Sequence, residues 1–155
     1  MKKFSLKIDD GALVALLALR LSLGWLFFYA GITKVFDADW SAAGYLQGAK
    51  TFPALFQWLA SPANIGWVNF LNEWGLTLIG SALLVGLFVR FASYSGVLLM
   101  ALYYLSALDF PYPDPHSFIV DQHIIYIFLL LFFAFSNAGV FYGLDARRHF
   151  GSRIV

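Results

Sequence analysis

The chain has 155 residues, of which 61% are hydrophobic, 19% aromatic and 12% charged. A soluble domain is about 25% charged and about 45–50% apolar, so this chain has too few charges to cover its apolar content in water, whereas a bilayer solvates it. We therefore expect an all-α integral membrane protein. The net charge of +1 provides no basic field for nucleic acid, and the absence of cysteine excludes thiol chemistry within the chain.

Four apolar stretches are long enough to be membrane-spanning helices, because a hydrocarbon core about 30 Å thick requires about 20 helical residues. They cover approximately residues 12–33, 65–89, 91–110 and 118–135. Arg90 alone separates the second stretch from the third, which predicts a tight hairpin. The expected fold is a four-transmembrane-helix bundle that forms a single domain over residues 1–155.

The distribution of positive charge predicts the orientation of this bundle, since lysine and arginine are retained on the cytoplasmic side of a membrane. If both termini are cytoplasmic, most basic residues lie on that side: Lys2, Lys3, Lys7, Arg90, Arg147, Arg148 and Arg153. Lys34 and Lys50 then lie on the opposite side. We therefore expect cytoplasmic N and C termini.

The loop between the first two predicted helices is rich in aromatic residues. Small and aromatic side chains alternate over residues 39–67 at a spacing that indicates one or two short helices in the membrane interface. Two interpretations remain open at this point. The loop is an aromatic belt that anchors the outer surface, as tryptophan and tyrosine commonly do, or it is a lid over a hydrophobic ligand.

Arg20 lies within the first predicted helix, about 12 Å from its start by helical rise, where an arginine costs about 2.5–3.5 kcal/mol and requires a partner. We expect that partner to be Glu73 on the second helix, reached directly or through one water. Small residues follow each charge at helical spacing and should let the two backbones approach closely: Gly24 and Gly31 after Arg20, and Thr77, Gly80 and Ser81 after Glu73. The pair either locks two helices together or handles protons and orients a ligand in a cavity.

The fourth predicted helix opens with a polar cluster that contains Asp121, His123 and Tyr126. Asp121 and His123 are two residues apart, so on a helix their side chains should point in different directions. One interpretation places Asp121 at the helix N-terminus and His123 among the headgroups; the other makes His123 a proton carrier at the mouth of a site. On the third helix, Tyr103 is either a core residue or a phenol that hydrogen-bonds a ligand carbonyl.

The histidine count argues against a bound metal or haem. Only His123 lies in a predicted span, whereas a bis-histidine haem needs two facing histidines, and zinc or di-iron sites need a denser cluster of ligands. No metal or haem ligand set is therefore expected.

Four segments in order along the chain share the pattern of one family. They run from Arg20 through Gly24 to Ala30-Gly31 and Lys34, from Glu73-Trp74-Gly75 to Arg90, over residues 121–126, and over residues 137–144. Together they resemble the DoxX/DoxD membrane-protein family, which includes the small subunit of thiosulfate:quinone oxidoreductase. The resemblance covers nearly the whole chain.

This resemblance implies a quinone-interacting membrane subunit of an oxidoreductase, which in some members oxidises a reduced sulfur compound with a separate partner subunit. It implies the cytoplasmic (inner) membrane of a prokaryote as the location, the lipid bilayer as surroundings, and quinone as the cofactor; a homo-oligomer is a further expectation. The alternative is a non-catalytic membrane scaffold or lipid-binding module. The candidate catalytic residues are Glu73, His123 and Asp121, and the candidate ligand-binding residues are Arg20, Lys34, Trp74, Tyr103 and Tyr126.

Overall fold

The computed structural model describes residues 10–147. Within this range the regular structure is helical, and the only β pairing consists of two isolated bridges. The helices in chain order are α1 (Asp10–Val35), α2 (Ala43–Gln47), α3 (Pro53–Leu59), α4 (Ile65–Val85), α5 (Val89–Ala107) and α6 (Gln122–Ser136). Helix α1 packs against α4, α4 against α5, and α5 against α6. The expectation of an all-helical chain is confirmed for the described residues.

Helices α1 and α4 run antiparallel and touch through small residues. A methyl group added to Gly80 would overlap the backbone of Phe28, and one added to Gly31 would overlap the backbone of Thr77. Gly24 lies next to Leu83 and the Gly80 carbonyl, one level further along. The predicted close approach of the two small-residue faces is therefore confirmed, because only glycine leaves room for this spacing.

The hairpin between α4 and α5 lies earlier than the sequence predicted. Helix α4 ends at Gly86, which has a φ of 70°, and Phe88 has a φ of 53° just before α5 begins at Val89. Glycine adopts positive φ without strain, so Gly86 is where the helix can stop. The prediction that the second span continues to residue 89 and that Arg90 forms the turn was wrong, since Arg90 lies in the first turn of α5.

The start of α6 also differs from the prediction. The apolar residues after position 117 were expected to be helical, but Ile119 has a φ of 59° and its N–H donates to the Pro111 carbonyl. Helix α6 begins only at Gln122, after Asp121 in extended conformation. The Asp121 carboxylate accepts hydrogen bonds from the N–H groups of His123 and Ile124, which is the usual way an aspartate caps a helix N-terminus.

The loop between α1 and α4 forms a small core of its own. Its two short helices, α2 and α3, confirm the predicted interfacial helices as elements. Phe56 is 1% exposed and is surrounded by Ala42, Leu46 and Ala60. The loop is therefore a packed cap on one end of the long helices.

The outer surface of the long helices is apolar and aromatic, with large side chains exposed on every long helix, among them Trp25, Phe70, Phe91 and Phe128. In the described part of the chain, α1 and α4 are long and apolar enough to cross a membrane, and α6 is apolar but shorter. The two ends of this assembly differ, and we name them by what they contain. The hairpin end holds the α4–α5 turn and residues 137–147, the C-terminal segment; the cavity end holds α2 and α3.

Candidate functional site

A cavity of about 530 Å³ lies at the cavity end, beneath α2 and α3. Most of its wall is apolar and aromatic, formed by side chains such as Trp40, Phe56, Leu59, Trp67, Leu71 and Leu102. Its volume is within the range of about 300–1,000 Å³ that is typical of small-molecule sites. Residues of α2 and α3 therefore form part of the cavity wall.

Three polar side chains from three different helices meet at this cavity. Lys34, in the last turn of α1, donates from Nζ to Asn72 Oδ1 at 3.0 Å and to the Tyr103 hydroxyl oxygen at 3.3 Å. Asn72 Nδ2 donates to the same Tyr103 oxygen at 2.5 Å. Since that oxygen accepts both bonds, the single hydroxyl hydrogen of Tyr103 remains available to a ligand in the cavity.

Aromatic rings complete the surroundings of the Lys34 ammonium. Its Nζ lies 4.6 Å from the centroid of the Trp40 ring and 5.6 Å from that of Tyr103, distances at which a cation is attracted to an aromatic face. The Tyr45 hydroxyl donates to the backbone carbonyl of Tyr103 at 3.2 Å. The loop thereby ties itself to α5 beside the charged group.

His123 forms a second polar element of the cavity, held by Asp121. Its Nδ1 donates to Asp121 Oδ2 at 2.5 Å, since an ionised carboxylate can only accept. The prediction that these two side chains point in different directions was wrong, because Asp121 is the extended cap residue and not part of the helix. The His123 ring contacts the Tyr103 ring edge to face at 5.8 Å between centroids, which brings the two polar elements together.

Arg20 lies at the hairpin end, far from this cavity. It is 1% exposed, and its guanidinium donates to three carbonyls of the C-terminal segment: Ala138 at 2.6 Å, Phe141 at 3.0 Å and Tyr142 at 3.3 Å. The arginine therefore binds the chain that leaves α6. These carbonyls are free to accept because they lie beyond the end of a regular helix.

The predicted pairing of Arg20 with Glu73 was wrong. Helix α1 extends past the end of α4, so that Arg20 is level with Gly86, whereas Gly31 is the α1 residue beside the Glu73 carbonyl. Arg20 and Gly31 are eleven residues apart, or about 16 Å along the helix. Glu73 instead interacts electrostatically with Lys34.

Asp145 completes the attachment of the C-terminal segment. Its carboxylate accepts from the N–H groups of Phe88 at 2.9 Å and Val89 at 3.1 Å, and its own N–H donates to the Gly86 carbonyl at 2.9 Å. It also interacts electrostatically with Arg20. The segment is thus bound both to α1 and to the α4–α5 turn.

The remaining candidate residues lie outside the cavity wall. Trp74 is 39% exposed, with its ring 6.4 Å from that of Phe70 on the outer surface. Tyr126 packs edge to face against Phe27 at 6.0 Å in the main core. Of the candidates, the structure brings together Lys34, Tyr103 and His123 with Asp121.

Two residues that contact the Lys34 ammonium, Asn72 and Trp40, were not predicted as site residues. Asn72 is 7% exposed, next to Glu73 in α4, and a buried amide in a membrane helix is itself a signal of function or of helix pairing. Trp40 carried only the general aromatic signal of its loop. No group of three or more histidine, cysteine, aspartate or glutamate side chains suited to a metal ion occurs within residues 10–147.

Comparison with known proteins gives one match. The family model described as DoxX matches residues 15–108, which is more than half of the chain and includes Lys34, Asn72 and Tyr103. No curated protein and no solved structure gave a significant match. The chain therefore belongs to the DoxX family of membrane proteins.

Proposed function

We propose that this protein is a quinone-binding membrane subunit of an oxidoreductase and that the cavity under α2 and α3 is its quinone site. The observation that carries the proposal is the meeting of Lys34, Tyr103 and His123 on a mostly apolar cavity of about 530 Å³. A flat apolar molecule with ring carbonyls requires this combination of apolar walls and a few hydrogen-bond donors.

The residues present fit such a molecule. Aromatic side chains such as Trp40 and Phe56 would contact the faces of the ring. The Tyr103 hydroxyl, the Lys34 ammonium and, when it is protonated, the His123 ring would donate to the ring carbonyl oxygens. When bound, a quinone would supply a two-electron, two-proton acceptor.

The protein's own contribution would be positioning and proton transfer. Asp121 holds Nδ1 of His123 at 2.5 Å and so leaves Nε2 as the nitrogen that can gain or lose a proton at the cavity. An imidazole whose other nitrogen is held by a carboxylate can act as a general acid or base. Glu73, which interacts electrostatically with Lys34, would act on the charge of the site from outside the cavity wall.

The proposal includes a topology and a location. We infer four membrane spans, α1, α4, α5 and α6, in one domain with cytoplasmic termini, in the inner membrane of a prokaryote. With this orientation the hairpin end, which carries Arg90 and Arg147, faces the cytoplasm.

The electrons would be exchanged with a separate partner subunit, and a reduced sulfur compound is the donor that the family resemblance suggests. A homo-oligomer is compatible with the exposed apolar faces.

The test is quinone retention by the full chain purified in mild detergent, measured by extraction and mass spectrometry. We expect a stoichiometric quinone in the wild type and about a tenfold loss of retention in Tyr103→Phe, since one hydrogen bond from a buried donor is worth about 1 kcal/mol or more. His123→Gln should lose retention to a similar degree.

Tyr104→Phe is the matched control for Tyr103→Phe. It removes a hydroxyl from the next residue, where the hydroxyl donates to the Ile119 carbonyl at 2.5 Å outside the cavity, so quinone retention should be unchanged. Folded protein that contains no quinone and does not bind an added short-chain quinone would refute the proposal.

The second candidate function is a membrane scaffold or lipid-binding module. The observation that favours it is the attachment of the C-terminal segment by the buried Arg20 and the half-buried Asp145, which is a structural use of charge. Purification with only lipid or a stable protein partner would support this function.

A further inference from the structure

The Lys34 ammonium faces the cavity with neutral partners only. Asn72, Tyr103 and the Trp40 ring are its contacts, and within residues 10–147 no carboxylate oxygen lies within 4.0 Å of its Nζ. Glu73 acts on it electrostatically from a greater distance. A cation in an apolar cavity without a close counter-ion is stabilised by an anion that enters beside it.

A proton acceptor lies on the same cavity. Among the described residues, Nε2 of His123 has no hydrogen-bond partner, whereas Nδ1 is held by Asp121. In the neutral ring Nε2 therefore carries the lone pair. Because the His123 ring contacts the Tyr103 ring, and the Tyr103 oxygen is bonded to Lys34, the acceptor and the cation border the same space.

The other titratable groups around the cavity do not compete for these roles. The Tyr45 hydroxyl of α2 is occupied by the Tyr103 carbonyl, and α3 (Pro53–Leu59) contains no titratable residue. Glu73 of α4 and Asp121 before α6 do not line the cavity, which has no carboxylate in its wall. The cavity thus combines the Lys34 cation, the His123 base and the Tyr103 hydroxyl donor with mostly apolar walls.

We propose that the cavity binds a ligand with an acidic aromatic hydroxyl group, such as the hydroquinone form of a quinone, and stabilises it as the oxyanion. The ligand O–H bond breaks, and the proton forms an N–H bond at His123 Nε2. The electron pair and the negative charge remain on the ligand oxygen, next to Lys34 Nζ and the Tyr103 hydroxyl. This inference rests on the proposed quinone site. It adds that the site holds the reduced ligand, the hydroquinone, in its deprotonated form.

The test uses 4-nitrophenol, an aromatic hydroxyl compound whose ionised form absorbs visible light. The full chain in detergent is titrated with the probe at several pH values. We expect the bound probe to be half-ionised at a proton concentration about tenfold or more higher than the concentration at which the free probe is half-ionised. An opposite charge within about 4–6 Å shifts ionisation by this amount. The uncharged 4-nitroanisole should bind without a pH dependence.

Variants separate the cation from the base. In Lys34→Met the shift of the midpoint should disappear, while Tyr104→Phe should keep it in full. A second readout is the number of protons released to the solvent when the probe binds at a pH below the ionisation midpoint of the free probe. The wild type should release none, since His123 retains the proton, and His123→Gln should release about one proton per bound probe. An unshifted midpoint in the wild type, or an unchanged shift in Lys34→Met, would overturn the inference.

Failure of this inference can be distinguished from failure of the proposed function. If the protein retains quinone but binds 4-nitrophenol with an unshifted midpoint, the proposed quinone site stands and the inference that the site stabilises an oxyanion is refuted. A folded protein that binds neither quinone nor 4-nitrophenol refutes both.

Discussion

Helix α1 carries two cations that are used differently: Arg20 near its middle, at the hairpin end of the bundle, and Lys34 in its last turn, at the cavity end. Arg20 at the hairpin end is 1% exposed and donates to the backbone carbonyls of Ala138, Phe141 and Tyr142. Lys34 at the cavity end is half-buried, and its hydrogen-bond partners are side chains around an open volume. Both residues would look the same to a search for charge in a membrane helix.

The difference teaches how to separate structural from functional charge in such helices. Around Arg20 the backbone leaves no space, since a methyl group on Gly86 would lie 3.0 Å from the guanidinium. Carbonyl partners from a segment distant in sequence hold the chain together. Around Lys34 there is space for a ligand, and the partners are groups that can change their own hydrogen bonds when the ligand enters.

The strongest test of this comparison is Arg20→Met. It removes the donors of three carbonyls of the C-terminal segment, and the loss of buried charged hydrogen bonds should cost about 3–5 kcal/mol of unfolding free energy. Denaturant unfolding in detergent measures it. Arg90→Met is the control, because Arg90 is exposed at the same end of the molecule and its replacement should cost less than about 0.5 kcal/mol. If Arg20→Met stays stable and loses quinone, the division between the two ends is wrong.

A smaller effect is expected from Gly80→Ala, which lies in the contact between α4 and α1. The added methyl group overlaps the Phe28 backbone, and overpacking of this kind costs about 1–3 kcal/mol. Thermal unfolding is the measurement. Gly66→Ala in the same helix has open space around the added methyl group and should instead stabilise the protein by about 0.5–1 kcal/mol. Equal melting temperatures for the two variants would contradict the close packing of α1 on α4.

The smallest effect is expected from Trp74→Leu. Trp74 lies on the outer surface beside Phe70, so its replacement should change stability by less than about 0.5 kcal/mol and leave quinone retention unchanged. Trp40→Leu is the matched change on the cavity wall, where the ring 4.6 Å from Lys34 Nζ is lost, and retention should fall. Retention that depends on Trp74 would place the ligand outside the cavity under α2 and α3.

Local patterns predicted much of the fold. The glycines after Arg20 and the small residues after Glu73 indicated a close helix pair, because helical periodicity places them on one face. The aromatic loop indicated short helices, which are α2 and α3. The ends of the helices were less predictable, because apolar content does not reveal them. Gly86 ends α4 through its positive φ, and Asp121 begins α6 by capping its N-terminus.

The candidate site was predicted in part. Lys34, Tyr103 and His123 were among the candidates and line one cavity. Asn72 was not among them, although its amide is hydrogen-bonded to both Lys34 and Tyr103. Helical spacing does not predict the contact of Asp121 with His123, since side chains two positions apart on a helix point in different directions. The two side chains meet because Asp121 lies before the helix, in extended conformation.

By itself, the sequence determined the class of protein, the helical periodicity and the family, because composition and spacing are local properties of the chain. Which group each buried charge meets was decided by the tertiary structure. Helical period specifies the face on which Arg20 and Glu73 lie, but the axial level of each depends on how far α1 extends past α4 and on where the C-terminal segment returns. That extension places Arg20 among backbone carbonyls and leaves Lys34 beside a cavity.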